Sequence, residues 1–149
     1  MTKLLLSLHV LAAIVAVGPV TVAASMFPPA ARRAGAGEPG TVRLLHRICR
    51  VYAGAGIAVP LLGFATASAM GVLGDAWLIA SIVLTAAAAG VLALAVLPRQ
   101  EELVERLDGG AVVERTATVR LAMLTGVFNL LWAAVTVLMI LRPGSTTGA

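Results

Sequence analysis

The chain has 149 residues, 60% of them hydrophobic and only 12% charged, with a formal net charge of +4. Soluble globular domains run nearer half apolar and about a quarter charged, so a water-soluble domain is excluded, and the length suits a single domain. The basic residues are gathered into patches between long neutral stretches, which argues against a nucleic-acid surface.

No Asp, Glu, Lys or Arg lies within Leu4–Phe27, Val51–Gly74, Ala76–Leu97 or Leu121–Leu141. Each stretch matches the roughly 20 helical residues that cross the hydrocarbon core. None alternates as the strand of a spanning barrel must. The predicted fold is therefore all-α, one four-transmembrane-helix bundle over residues 1–149.

Of the eleven Lys and Arg, five (Arg32, Arg33, Arg43, Arg47, Arg50) lie between the first two stretches, and four (Arg99, Arg106, Arg115, Arg120) lie around the third connection. Only Lys3 and Arg142 flank the other side. By the positive-inside rule both long loops are cytoplasmic and both termini outside. Ten Arg against one Lys, with abundant Ala and Gly, fits a GC-rich bacterial genome and hence a bacterial plasma membrane.

The first span places His9 inside the apolar run "LLLSLHVLAA". Lys3 and the small residues Ala23, Ala24 and Ser25 loosely imitate a signal peptide, but the run is long for an h-region, so an uncleaved anchor is expected. Gly18-Pro19 predicts a kink, since proline removes a backbone donor and crowds the preceding turn. "FPP" (Phe27–Pro29) marks the predicted end, and "AARRAGAGEPG" reads as a flexible loop. "TVRLLHRICRVY" starts a helix before the second span, with Thr41 as its N-cap. Arg43, Arg47 and Arg50 form one basic face there, suited to anionic lipid head groups. Cys49 is the single cysteine, so no internal disulfide forms, and it reads as an inert interfacial thiol. His46 reads as an interfacial residue.

The second span repeats Gly56, Gly63 and Met70 every seven residues, and the third carries "TAAAAG" (Thr85–Gly90). Small residues let helices approach closely in lipid, so these surfaces suit a membrane-protein partner or a homo-oligomer. Pro98 opens a separate cytoplasmic helix, "PRQEELVERLDGG", with Glu102 and Arg106 as an i,i+4 pair. In the fourth span Thr118, Thr125, Asn129 and Thr136 share one face. Thr125, Asn129 and Thr136 are the predicted polar interior, either tying helices together or lining a small-solute facilitator.

His9 shares its face with Ala12, Ala13, Ala16 and Val20. A neutral imidazole with its other nitrogen held by an acceptor is a good metal ligand. His9 lies in the outer half of the membrane and His46 at or beyond the cytoplasmic surface, so the two cannot share a metal. Met70 and Met139, toward the outer ends of their helices, are the predicted partners of His9 for haem b, as a His/Met axial pair. No nucleophile–base triad, phosphate loop or zinc site is present, and no intramembrane acid or base marks an ion path.

"KLLLSLHVLAAIVAVGPV" (Lys3–Val20) resembles the opening of a loose group of small bacterial membrane proteins. The group comprises an uncharacterised integral-membrane family, the copper-resistance protein D family and the four-helix membrane protoporphyrinogen oxidases. The resemblance rests on a Leu-His pair early in helix one and on the four-span layout, and it is nearest to the uncharacterised family. It implies a four-helix fold and, through the oxidases, haem at His9. The intramembrane lysine of the oxidases has no counterpart, because Lys3 is the only lysine and lies outside the spans. The sequence therefore reads first as a non-enzymatic accessory or assembly subunit, second as a haem-b redox protein and third as a facilitator.

Overall fold

The computed structural model describes residues 2–34 and 39–144. Among these residues the fold is all-α, with four helical rods long and apolar enough to cross a membrane. The first rod is α1 (Thr2–Ala34). The second is α2 (Pro39–Ala55) followed by α3 (Ala58–Met70). The third joins α4 (Ala76–Gly90), a π-helical segment (Val91–Val96) and α5 (Leu97–Asp108), and the fourth is α6 (Arg115–Leu141). The chain is a multi-pass membrane protein. Below, the terminal end is the side of Thr2 and Leu141, and the arginine end is the opposite one.

Prolines and glycines set the boundaries, and several differ from the sequence reading. Helix α1 does not stop at Phe27–Pro29 but continues to Ala34, unbroken through Gly18-Pro19. Phe27 and Pro28 are fully buried in the main core, so packing offsets the missing backbone donors. Of the stretch read as a loop, Ala30–Ala34 and Pro39–Gly40 are helical, while 35–38 lie outside the described residues. Helix α2 begins at Pro39, so Thr41 is inside it and is not the N-cap.

The second span is broken at Gly56–Ile57. Pro60 has no N–H for the Gly56 carbonyl, and the Val59 N–H takes that carbonyl instead at 3.1 Å, tightening the turn. The span also ends at Met70 rather than Gly74. Gly71 adopts φ 71°, and N–H groups of Gly71 and Val72 close on the Ser68 and Ala67 carbonyls at 3.2 and 3.1 Å. This is a Schellman cap, which a residue with a Cβ adopts only with strain.

Pro98 does not open a new helix. The rod runs through it, because the turn ahead widens and the Leu97 N–H reaches back to the Leu92 carbonyl. One extra residue per turn relieves the crowding that Pro98 imposes.

The spans are unequally packed. Helix α1 packs on α2, α3 and α6, and α4 packs on α6; α3 and α4 are consecutive but do not pack along one another. The gap between the second and third spans is closed at both ends. At the arginine end α2 packs on α5, within a core of Val20, Phe27, Val42, Val96 and Leu121. At the terminal end Ala67, Val72, Trp77 and Leu78 form a second cluster. There the Trp77 Nε1–H donates to Asp75 at 3.1 Å, and the Arg142 guanidinium lies 5.7 Å from the Trp77 ring centre.

Candidate functional site

The intramembrane imidazole is a clasp between two spans. His9 Nδ1–H donates to the Val59 carbonyl at 2.9 Å, across α1 and α3. Its ring lies against Gly63, where a Cβ would stand only 2.9 Å from His9 Cε1. Gly63 is thus the cutaway that admits the ring. Met70 and Met139 sit together against the Trp77 cluster, and Met70 lies two helical turns beyond Gly63 toward the terminal end. The structure does not bring the two methionines to His9.

The polar row on α6 divides along its length. Thr118 is fully buried; its hydroxyl accepts from Arg32 Nε at 2.9 Å and donates to the Arg115 carbonyl at 2.8 Å. Thr125 is also buried, and its hydroxyl has no partner. Asn129 Nδ2 donates to Ser25 Oγ at 3.1 Å, leaving its buried Oδ1 unpartnered. Thr21, one turn before Ser25 on α1, is likewise buried at its hydroxyl and unpartnered. Thr136 departs from the prediction, for it is exposed and its hydroxyl bonds back to the Trp132 carbonyl at 3.0 Å. Helix α1 buries no residue before Ala16, so it gives the terminal half of the bundle little cover.

A second polar cluster, at the arginine end, was not anticipated. His46 is only 8% exposed, in the α2–α5 interface. Its Nδ1 lies 3.0 Å from Gln100 Oε1, and Gln100 Nε2 donates weakly to Cys49 Sγ at 3.6 Å. With the Gln100 oxygen accepting, Nδ1 carries the proton and His46 Nε2 is an acceptor; it is buried and without a partner. Gln100 and Cys49 are fully buried. The thiol therefore faces the helix interface and not the arginines or the membrane surface. Sequence gave one signal for this cluster: Leu97, Gln100, Leu103 and Leu107 form a helical stripe that sets the chain's only glutamine among leucines.

The arginine face of α2 is sorted by its neighbours. Arg43 Nε bonds Asp108 at 2.9 Å, an exposed pair worth little. Among the described residues Arg47 and Arg50 have no acid within ion-pair reach. Both border a hollow of about 360 Å³ with His46 and Val51. Arg50 also heads a neighbouring hollow of about 320 Å³, where Ala53, Gly54 and Ile57 face Ala89, Leu92 and Ala93 across the gap between the second and third spans.

Comparison with protein-family models, with curated proteins and with solved structures yields no match for the chain.

Proposed function

We propose that the chain is a non-enzymatic accessory or assembly subunit of a bacterial plasma membrane, acting through its lipid-facing surface. The observation that supports this best is the bond from His9 to the Val59 carbonyl, which occupies the chain's one intramembrane imidazole in holding two spans together. The surface for a partner is on α4. Ala76, Ala80, Val83 and Ala87 follow one another at helical spacing, and all are exposed. At 3.6 residues per turn this stripe faces away from Ala89 and Ala93, so it is separate from the hollow between the spans. Backbones approach closely over such a face in lipid.

The test is a photoreactive side chain at position 83 in native membranes. One discrete adduct is expected, with a membrane protein that also copurifies with the full chain, and both are lost in Ala80→Leu/Ala87→Leu. Adducts with lipid alone would end this reading. The proposed orientation, with termini outside, is tested by impermeant maleimide added to intact cells. It should label Gly74→Cys and spare Gly110→Cys; the reverse pattern refutes the orientation.

The second reading, a haem-b redox protein, has one observation in its favour. An Nδ1–H held by a carbonyl leaves Nε2 as the lone-pair nitrogen, the posture of an axial ligand. The fit extends no further, since Met70 and Met139 are packed elsewhere. Haem-supplemented expression decides it: a Soret band removed by His9→Ala supports the reading, and its absence disposes of it.

A further inference from the structure

We infer that the gap between the second and third spans, at the arginine end, holds one anionic phospholipid, with its phosphate on Arg47 and Arg50 and an acyl chain in the hollow below. Three observations converge there. First, the hollow is a built cleft, because α2 packs on α5 while α3 and α4 do not pack along each other. Its walls are apolar, with Ala53, Gly54 and Ile57 on one side and Ala89, Leu92, Ala93 and Leu97 on the other. At about 320 Å³ it falls at the lower end of the size range of ligand pockets, roughly 300–1,000 Å³.

Second, its mouth carries uncompensated positive charge. Arg43, Arg47 and Arg50 share a face, but Asp108 neutralises Arg43 alone. Arg47 and Arg50 remain unpaired among the described residues, and Arg50 borders both hollows. A guanidinium at the head of an apolar slot matches an amphiphile whose anionic group and hydrocarbon are joined. A free anion would use the arginines and leave the slot unexplained.

Third, the head-group hollow includes a polar group without a partner. His46, 92% buried, borders it, and its Nε2 is an unpaired acceptor. Thr21, Thr125 and Asn129 also carry buried polar atoms without a partner among the described residues, but of the four only His46 lines either of these two hollows. A lipid head group bearing hydroxyls, as in phosphatidylglycerol, supplies both the phosphate for the arginines and donors for such a nitrogen.

The experiment is native mass spectrometry of the full chain, released from detergent with phosphatidylglycerol or phosphatidylcholine titrated in. The wild type is expected to retain one phosphatidylglycerol in preference to phosphatidylcholine. Each arginine near an anionic lipid is worth about a fivefold effect, so Arg47→Gln/Arg50→Gln should weaken retention roughly 25-fold. Ala93→Trp, which fills the slot and keeps both arginines, should also abolish preferential retention. Arg99→Gln/Arg120→Gln removes equal charge elsewhere and should leave it unchanged, and millimolar inorganic phosphate should not displace the lipid. Equal loss in the Arg99/Arg120 variant would reduce the effect to bulk charge, and displacement by phosphate would make the ligand a free anion. Undiminished retention in either the Arg47/Arg50 variant or Ala93→Trp would also overturn the assignment. A photoreactive side chain at position 93 should capture lipid; capture of a protein helix there instead would do the same. Thermal unfolding of each variant, followed by circular dichroism, shows that loss of lipid is not loss of fold.

Discussion

His9, between α1 and α3, and His46, between α2 and α5, both place Nδ1 on an oxygen acceptor from another helix. For His9 the acceptor is a backbone carbonyl fixed by its own helix, and the ring fits only because Gly63 has no side chain. For His46 the acceptor is the side-chain amide of Gln100, itself held by one weak contact to a thiol. The first joint therefore depends on shape and the second on polarity. They should fail under different substitutions.

Gly63→Leu should be the most damaging change. Even a Cβ would lie 2.9 Å from the imidazole, so the larger side chain expels the ring and forces α1 from α3, at about 3 kcal/mol. Unfolding in mixed micelles measures this, and Gly63→Ala combined with His9→Ala should recover most of what Gly63→Ala alone loses. If the two changes merely add, the glycine is not there for the ring. Gln100→Leu comes next. It leaves His46 with both nitrogens unpaired in a buried interface, at about 2 kcal/mol. The double variant His46→Leu/Gln100→Leu should be more stable than Gln100→Leu, because it removes the stranded group.

His9→Ala alone should be milder, near 1 kcal/mol, the usual size of one interhelical hydrogen bond in a membrane. A loss as large as that of Gly63→Leu would mean that the imidazole has a further role. Thr136→Val sets the floor. Its hydroxyl bonds only to its own helix on an exposed face, so the change should stay within about 0.5 kcal/mol. A clear loss would show that the terminal half of α6 is covered by something.

The four spans were legible because charge is so costly in hydrocarbon that its absence alone marks them. Their ends were harder to read. Pro28, Pro29 and Pro98 are strong breakers in water, yet here they lie inside rods that packing or a widened turn sustains. The i,i+4 pair survived because it is local, and Arg106 meets Glu102 at 2.7 Å. The site fared differently. Gly63 was visible in the seven-residue repeat of Gly56, Gly63 and Met70, but its occupant, His9, comes from a different helix far away in the chain. His46 and Gln100 are 54 residues apart, and pairing across such a distance leaves no trace in spacing. Thr136 was misplaced for a related reason: a face drawn on one straight helix carries no record of where its neighbour diverges.

The break at Gly56–Ile57 has a mechanical meaning. Below it α2 is gripped by both α1 and α5, while above it α3 packs mainly on α1 and meets α4 only at its terminal end, through Ala67 against Trp77 and Leu78. The second span is thus two helical segments joined at Gly56–Ile57, and Ile57 is itself part of the wall of the Arg50 hollow. A change of angle at this joint would therefore reshape the hollow that Arg50 heads.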